Sequence, residues 1–381
     1  MNPVDPSLAY DSKYGRIFHK LKERLELGER EQQLLINAVS ALVIRDKLVP
    51  PTGMLFSRIE HSNLVGISYD HSDKVHKIHR HALGQLAAKV GFPVTYVNVL
   101  QRASDNDWRT DLLAYNLNTL FHNETFKDRA GNPRFLHRIV GDELRGFLSR
   151  RFNRHIASAP LLRSYLAACQ HVGAVPCEST ASDIRLALKC MLPSVFEVTP
   201  GQFVCVGVEW ANSDFGAGRM QVALSVWIPQ GDRFTVLDHV LSRVHIGSVI
   251  EDSDIELSDE TAQKESEAQS SAIRDAVIGQ LAPDSVDRLL NGIRMAHEEE
   301  IPWDKLKGQL ARYAARADID NLQQLLDDKS VDLPPISRDG AEIIPTKWWA
   351  CNALAYLANR TNDPEKKLEL QHAAGSFIEV K

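Results

Sequence analysis

At 381 residues, with 44% hydrophobic and 25% charged positions, the chain has the make-up of a soluble globular protein of one large domain or two. A formal net charge of −6 excludes a polycation, so any nucleic-acid binding has to come from a local basic patch. No apolar run approaches a membrane span, and the N-terminus lacks a signal-peptide core. The cysteines (Cys169, Cys177, Cys190, Cys205 and Cys351) are scattered without a C-x-x-C pair, which predicts reduced thiols in the cytoplasm and neither disulfides nor zinc.

Residues 15–49 carry helical periodicity: Ile17, Phe18, Leu21 and Leu25, then, after a break near Gly28, Leu34, Leu35, Ala38 and Leu42. Pro50-Pro51 ends that region, and residues 54–70 read as a β-hairpin turning at His61-Ser62-Asn63. Residues 72–90 return to helix on the stripe Val75, Ile78, Ala82, Leu86 and Val90, with Gly91 as the stop. His71, His76, His79 and His81 crowd its first half. No carboxylate or cysteine completes a ligand set, so they read as a weakly basic, solvated face and no metal is expected. Pro93 to Leu100 reads as a strand. Residues 105–121 read as a helix capped by Ser104, with Trp108, Leu112, Tyr115 and Leu120 as its buried side; Trp108 is alternatively a platform for a base.

Residues 132–155 concentrate positive charge. Arg134, Arg138, Arg145, Arg150, Arg151 and Arg154 face only Asp142 and Glu143, with Gly141-Asp142 as a turn between two runs. A guanidinium donates two hydrogen bonds in one plane and keeps its charge, which suits phosphate; Phe147 and Phe152 interleave. The competing reading pairs these arginines with carboxylates elsewhere in the chain. Ser158 then caps a helix ending at Gly173. Residues 183–191 alternate, with Ile184, Leu186, Leu188 and Cys190 on one face and Arg185 and Lys189 on the other.

The stretch Gly201 to Gly247 is a meander of three β-rich runs. In the second, Met220, Val222, Leu224, Val226 and Ile228 share one parity; Arg219, Gln221, Ala223, Ser225 and Trp227 make a mixed face suited to water or a ligand. After Gly247 the chain turns acidic, Ser258-Asp259-Glu260 opens a helix reaching about Leu281, and Pro283, Pro302 and Pro364 mark further helix starts. The predicted class is α+β, an antiparallel sheet with helices packed on one side, followed by a mostly helical C-terminal region. The predicted regions are 1–130 (N-terminal, α+β), 131–255 (antiparallel-sheet core) and 256–381 (helical).

Phosphate-loop, dinucleotide-fingerprint, G-x-S-x-G and H-E-x-x-H motifs are absent, so no cofactor is expected. Asp214 and His245, polar residues beside buried strands, are the one candidate catalytic pair, with no nucleophile or metal set beside them.

Five segments stand in the order seen in a known family: Phe135 to Arg151; Asn212-Ser213-Asp214-Phe215-Gly216; Arg243-Val244-His245-Ile246-Gly247; Ser258-Asp259-Glu260-Thr261; and Thr346 to Ala353. Over about residues 130–360 the chain resembles the phage/plasmid-like protein family, a bacterial domain of unknown function (number nine-three-two). Family members often carry Cys-Thr-Asn-Gly after the Asn-Ser-acid loop, and this chain does not. The resemblance implies a setting in phage, prophage or plasmid genomes inside bacteria, and no assigned activity. The first expectation is a non-enzymatic, self-assembling binder of single-stranded nucleic acid, similar in element order to single-strand annealing proteins. Its contacts would be Arg138, Arg145, Arg150, Arg151 and Arg154, with Arg185, Lys189 and Arg219 on exposed sheet faces. Alternatives are a module that binds a host protein through its acidic segment and helical tail, and an enzyme centred on Asp214 and His245.

Overall fold

Helix α1 (Ser12–Ala41) runs through Gly28 without the expected break. A Cβ on Gly28 would lie 2.4 Å from both Cys177 Cα and the Pro176 carbonyl oxygen, so glycine is what lets the helix rest on backbone. The computed structural model describes residues 2–7, 12–60, 62, 64–70, 72, 74–101, 108–122, 134–150, 152, 157–243, 259–325, 337–339 and 342–380. The fold is α+β, with two mostly antiparallel sheets and a helical C-terminal region.

The first sheet contains β1 (Ile44–Val49), β2 (Met54–Arg58), β3 (Val65–Tyr69), β4 (His76–Ile78), β5 (Phe135–Val140) and β6 (Glu143–Ser149), in the order β1-β5-β6-β4-β3-β2. All neighbours are antiparallel except β4 with β6. The β2–β3 and β5–β6 hairpins match the sequence expectation, the second turning at Gly141 with φ +59°. Helices α2 (Arg80–Val90), α3 (Val94–Gln101) and α4 (Trp108–His122) share a core with one face of this sheet, through Leu83, Leu86, Val97, Leu113 and Phe121 against Phe56, Ile67, Phe135 and Phe147.

Three expectations fail here. Residues 76–78 form a strand and not the start of a helix, because they insert between β3 and β6. Pro93 to Leu100, expected as a strand, instead lead into and form most of α3. The Tyr96 and Val97 N–H groups bond the Pro93 carbonyl, and Val97 and Leu100 go into the core at helical spacing. Helix α4 also buries a different side from that predicted, namely Thr110, Leu113, Ala114, Leu117 and Phe121.

The second sheet contains β7 (Val175–Ala181), β8 (Leu186–Met191), β9 (Phe196–Thr199), β10 (Gln202–Asn212), β11 (Met220–Ile228) and β12 (Arg233–Arg243), in the order β12-β11-β10-β8-β7, with β9 also on β10. One face of it shares the main core with α5 (Ser158–His171), α6 (Asp259–Gln280), α7 (Pro283–Glu298), α8 (Trp303–Leu310) and α9 (Arg316–Leu325). After the hairpin β13 (Ser337–Asp339) and β14 (Glu342–Ile344), α10 (Lys347–Arg360) and α11 (Pro364–Gly375) complete the fold. Thr346 and Asp363 cap these last helices through their side-chain oxygens. Pro283 and Pro364 open theirs, as expected of prolines at those positions in the sequence. Pro302 instead occupies the N-cap position of α8.

The face of β11 expected to meet water or a ligand is covered. Gln221, Ala223, Ser225 and Trp227 are all buried, and α1 packs near Trp227 while α11 overlies the rest of that side. Beneath α11, Lys189 Nζ lies 2.8 Å from Glu178, 3.0 Å from Glu209 and 2.9 Å from Gln371 Oε1. Lys367 and His372 reach Glu178 and Glu209 at 2.6 and 2.9 Å. Burial alone would raise the pKa of Glu178, but the Lys189 and Lys367 ammonium groups hold it at about 2. Glu209 is likewise held low against burial, by Lys189 and His372.

Candidate functional site

The turn Asn212 to Gly216 joins the two sheets. Asp214 Oδ1 accepts the Ser158 N–H at 3.0 Å, and Asn212 Nδ2 donates to Ser158 Oγ at 3.1 Å. Ser158 therefore opens α5 instead of capping it, and the cap comes from Asp214, a carboxylate at the positive end of the helix. Ser213 Oγ donates to the Ile184 carbonyl at 2.6 Å and accepts the Ala217 N–H at 2.8 Å. The Phe215 carbonyl accepts from His81 Nε2 and Gln85 Nε2 at 3.1 and 2.9 Å, while Gln85 Oε1 accepts the Phe147 N–H at 2.7 Å. Arg138, from the first sheet, donates to the Asp214 carbonyl. Gly216 at φ +77° makes the turn possible.

These bonds leave little for chemistry. Burial raises the pKa of Asp214, with the Ser158 hydroxyl and N–H and Arg138 opposing, yet its carboxylate is committed to the helix end. His245, its proposed partner, lies outside the described residues, as do Gly247, Arg151 and Arg154. The histidines expected on one helix disperse: His76 is in β4, His79 accepts the His81 N–H at the start of α2, and His81 meets Phe215. Among the described residues no group of three His, Cys, Asp or Glu side chains is placed to hold a metal.

The predicted basic residues divide into two sets. Arg138 is 5% exposed, with Nε 3.3 Å from Asp46 and its guanidinium 4.9 Å from the Phe152 ring centroid. Arg145 lies 2.9 Å from Glu143 and 3.8 Å from Asp183. Lys189, expected on an exposed sheet face, is 1% exposed in the network under α11. Glu143 stood in the basic stretch itself, whereas the sequence carried no signal for Asp46 or Glu209, which belong to remote segments.

The second set converges. Asn212 pairs with Leu186 and Ala211 with Gln221, while Met220 pairs with Arg243, so one end of the second sheet collects the beginnings of β8 and β11 and the end of β12. Arg185, Arg219 and Arg243 therefore share that rim. The Arg185 guanidinium carbon lies 3.7 Å from where a Cβ of Gly218 would stand, an ordinary contact distance that sets it against this turn, and the φ of +130° at Gly218 favours glycine there. Its Nε is buried without a hydrogen-bond partner. Arg150 follows β6, two residues before Phe152, whose ring is 3.3 Å from the Cβ position of Gly216. Arg150, Arg219 and Arg243 are exposed and Arg185 is half-buried. Asp183, close by, is engaged by Arg145 and by His79 at 3.9 Å. Arg243 entered the sequence reading only through the family resemblance; the strand register is what brings it to the rim.

Comparison with protein-family models, with curated proteins and with solved structures finds no match for this chain. Among the described residues no helix is long and apolar enough to cross a membrane.

Proposed function

We propose that the rim around the Asn212–Gly216 turn binds the sugar–phosphate backbone of single-stranded nucleic acid, without chemistry on it. The setting would be the phage, prophage or plasmid replication or recombination that the family resemblance implies. One observation carries the reading: strand register brings Arg185, Arg219 and Arg243 from three segments to one edge, and Arg150 stands two residues before Phe152, which meets the turn at Gly216. Such an edge on a chain of net charge −6 supports local attraction of a polyanion that the rest of the surface repels. The turn beneath is held by side-chain bonds to both sheets, which limits the entropy lost on binding.

The test is fluorescence anisotropy with a labelled single-stranded oligonucleotide at low salt. The double charge reversal Arg219→Glu/Arg243→Glu is expected to weaken binding at least about a hundredfold, given roughly 1.5–3 kcal/mol per lost charge-assisted contact. The remote reversal Lys22→Glu/Lys305→Glu changes net charge equally and is expected to leave affinity within about threefold. Equal losses in both variants, or no binding by the parent protein, refute the proposal.

A further inference from the structure

Helix α4 turns an apolar face to solvent. Trp108 is 55% exposed, Leu112 36% and Tyr115 67%, and their spacing of four and three residues makes one stripe. The bond from Asn116 Nδ2 to Tyr96 Oη, 3.0 Å, sets α3 alongside, where Val99, one turn from Tyr96, is 55% exposed. With aromatic side chains worth about 150–250 Å² each, Trp108 and Tyr115 alone present about 200–300 Å² of surface. That approaches the largest apolar patch of an ordinary monomer.

Trp and Tyr beside an arginine are the residue types enriched at the centre of a protein–protein interface, and Leu112 and Val99 extend the apolar area around them. The surrounding charge decides the partner. Arg109 places its guanidinium 5.5 Å from the Trp108 ring centroid, and Asp111 lies 3.4 Å from Arg58. At about 100° per residue, Arg109 flanks one side of the stripe and Asp111 the other. Asp111 is paired with Arg58 yet stays 57% exposed, so it still offers a carboxylate beside the stripe. A two-fold axis running along α4 turns the Arg109 side of one copy toward the Asp111 side of another, so the face is self-complementary, as an isologous contact requires. We infer that this face of α4 is a dimerisation surface, two copies of the chain meeting in parallel through Trp108, Leu112 and Tyr115.

Sedimentation equilibrium of the full chain over a range of concentrations tests this. A concentration-dependent dimer is expected, weakened about tenfold or more by Trp108→Ala and by Tyr115→Ala, whose melting temperatures stay close to the parent's because both side chains are exposed. All five native cysteines are buried, so Leu112→Cys adds one reactive thiol, expected to form a disulfide-linked dimer on oxidation where Lys305→Cys does not. A monomer at every concentration overturns the inference, as does a dimer indifferent to both alanine variants. Loss of single-stranded DNA binding in Trp108→Ala without any change in self-association assigns the face to bases and overturns it too.

Discussion

Lys189 has its three N–H donors engaged by Glu178, Glu209 and Gln371 at 1% exposure. Removing it strands two buried carboxylates. Lys189→Ala is therefore expected to cost about 3–5 kcal/mol in urea unfolding, against about 0.5 kcal/mol or less for Arg219→Ala at the exposed rim. Equal costs would refute the division of basic residues into interior and rim sets. The same network fixes a pH dependence. Glu178 and Glu209 have folded pKa values below their unfolded ones, so their contribution is present above about pH 4.5 and is lost as pH falls toward about 2. Burial pushes His137 down to about 3, so the unfolded chain takes up its proton first, and stability falls between about pH 6.5 and 3. Asp214, raised by burial, opposes this alone. Urea midpoints are expected to fall steadily from pH 7 to pH 4; a flat profile would contradict these assignments.

Among the elements, two sheet edges are closed by side chains of neighbouring helices, which removes them as templates for pairing with other chains. Asn118 of α4 donates to the Phe56 carbonyl and accepts the Phe56 N–H, both at 2.8 Å, along β2. Arg24 and Glu31 of α1 do the same for Cys177 and Ser179 along β7. Gly28 is what brings α1 that close. Gly28→Ala is expected to destabilise the protein by about 1–3 kcal/mol, although alanine favours helix by about 1 kcal/mol. Gly84→Ala in α2, where an added Cβ meets nothing within 4 Å, is expected to stabilise it by about 0.5–1 kcal/mol. Chemical denaturation of the two variants checks the opposite signs. Local signals, such as the helix starts at Pro283 and Pro364 or the Gly141 turn, were legible in the sequence. Gly28 read as a helix break because the contact that decides it, with Pro176 and Cys177, lies far along the chain; Pro93 to Leu100 read as a strand because packing on α2 and α4 overrides its β-branched composition.

For the whole molecule, the sequence showed which residues carry positive charge and left open where they would gather. Arg138 and Arg145, prominent in the basic stretch, turn inward or pair with carboxylates. Arg219 and Arg243, 24 positions apart, are brought to one rim by the register of β11 against β12. The class of fold was readable from periodicity and turn residues; the rim was not, since it depends on pairing between strands. The helices after residue 259 share the main core with the second sheet, so the end carrying the rim rests on a broad packed base.

The dependence of single-strand affinity on salt tests the proposed rim most directly. Four phosphate contacts at about −0.7 each predict a slope of log K against log salt near −3, and so a loss of about fiftyfold between 50 and 200 mM. Arg219→Glu/Arg243→Glu should bring the slope to about −1.4 or shallower. A slope near zero in the parent protein, or one that the double reversal leaves unchanged, would contradict backbone binding at this edge.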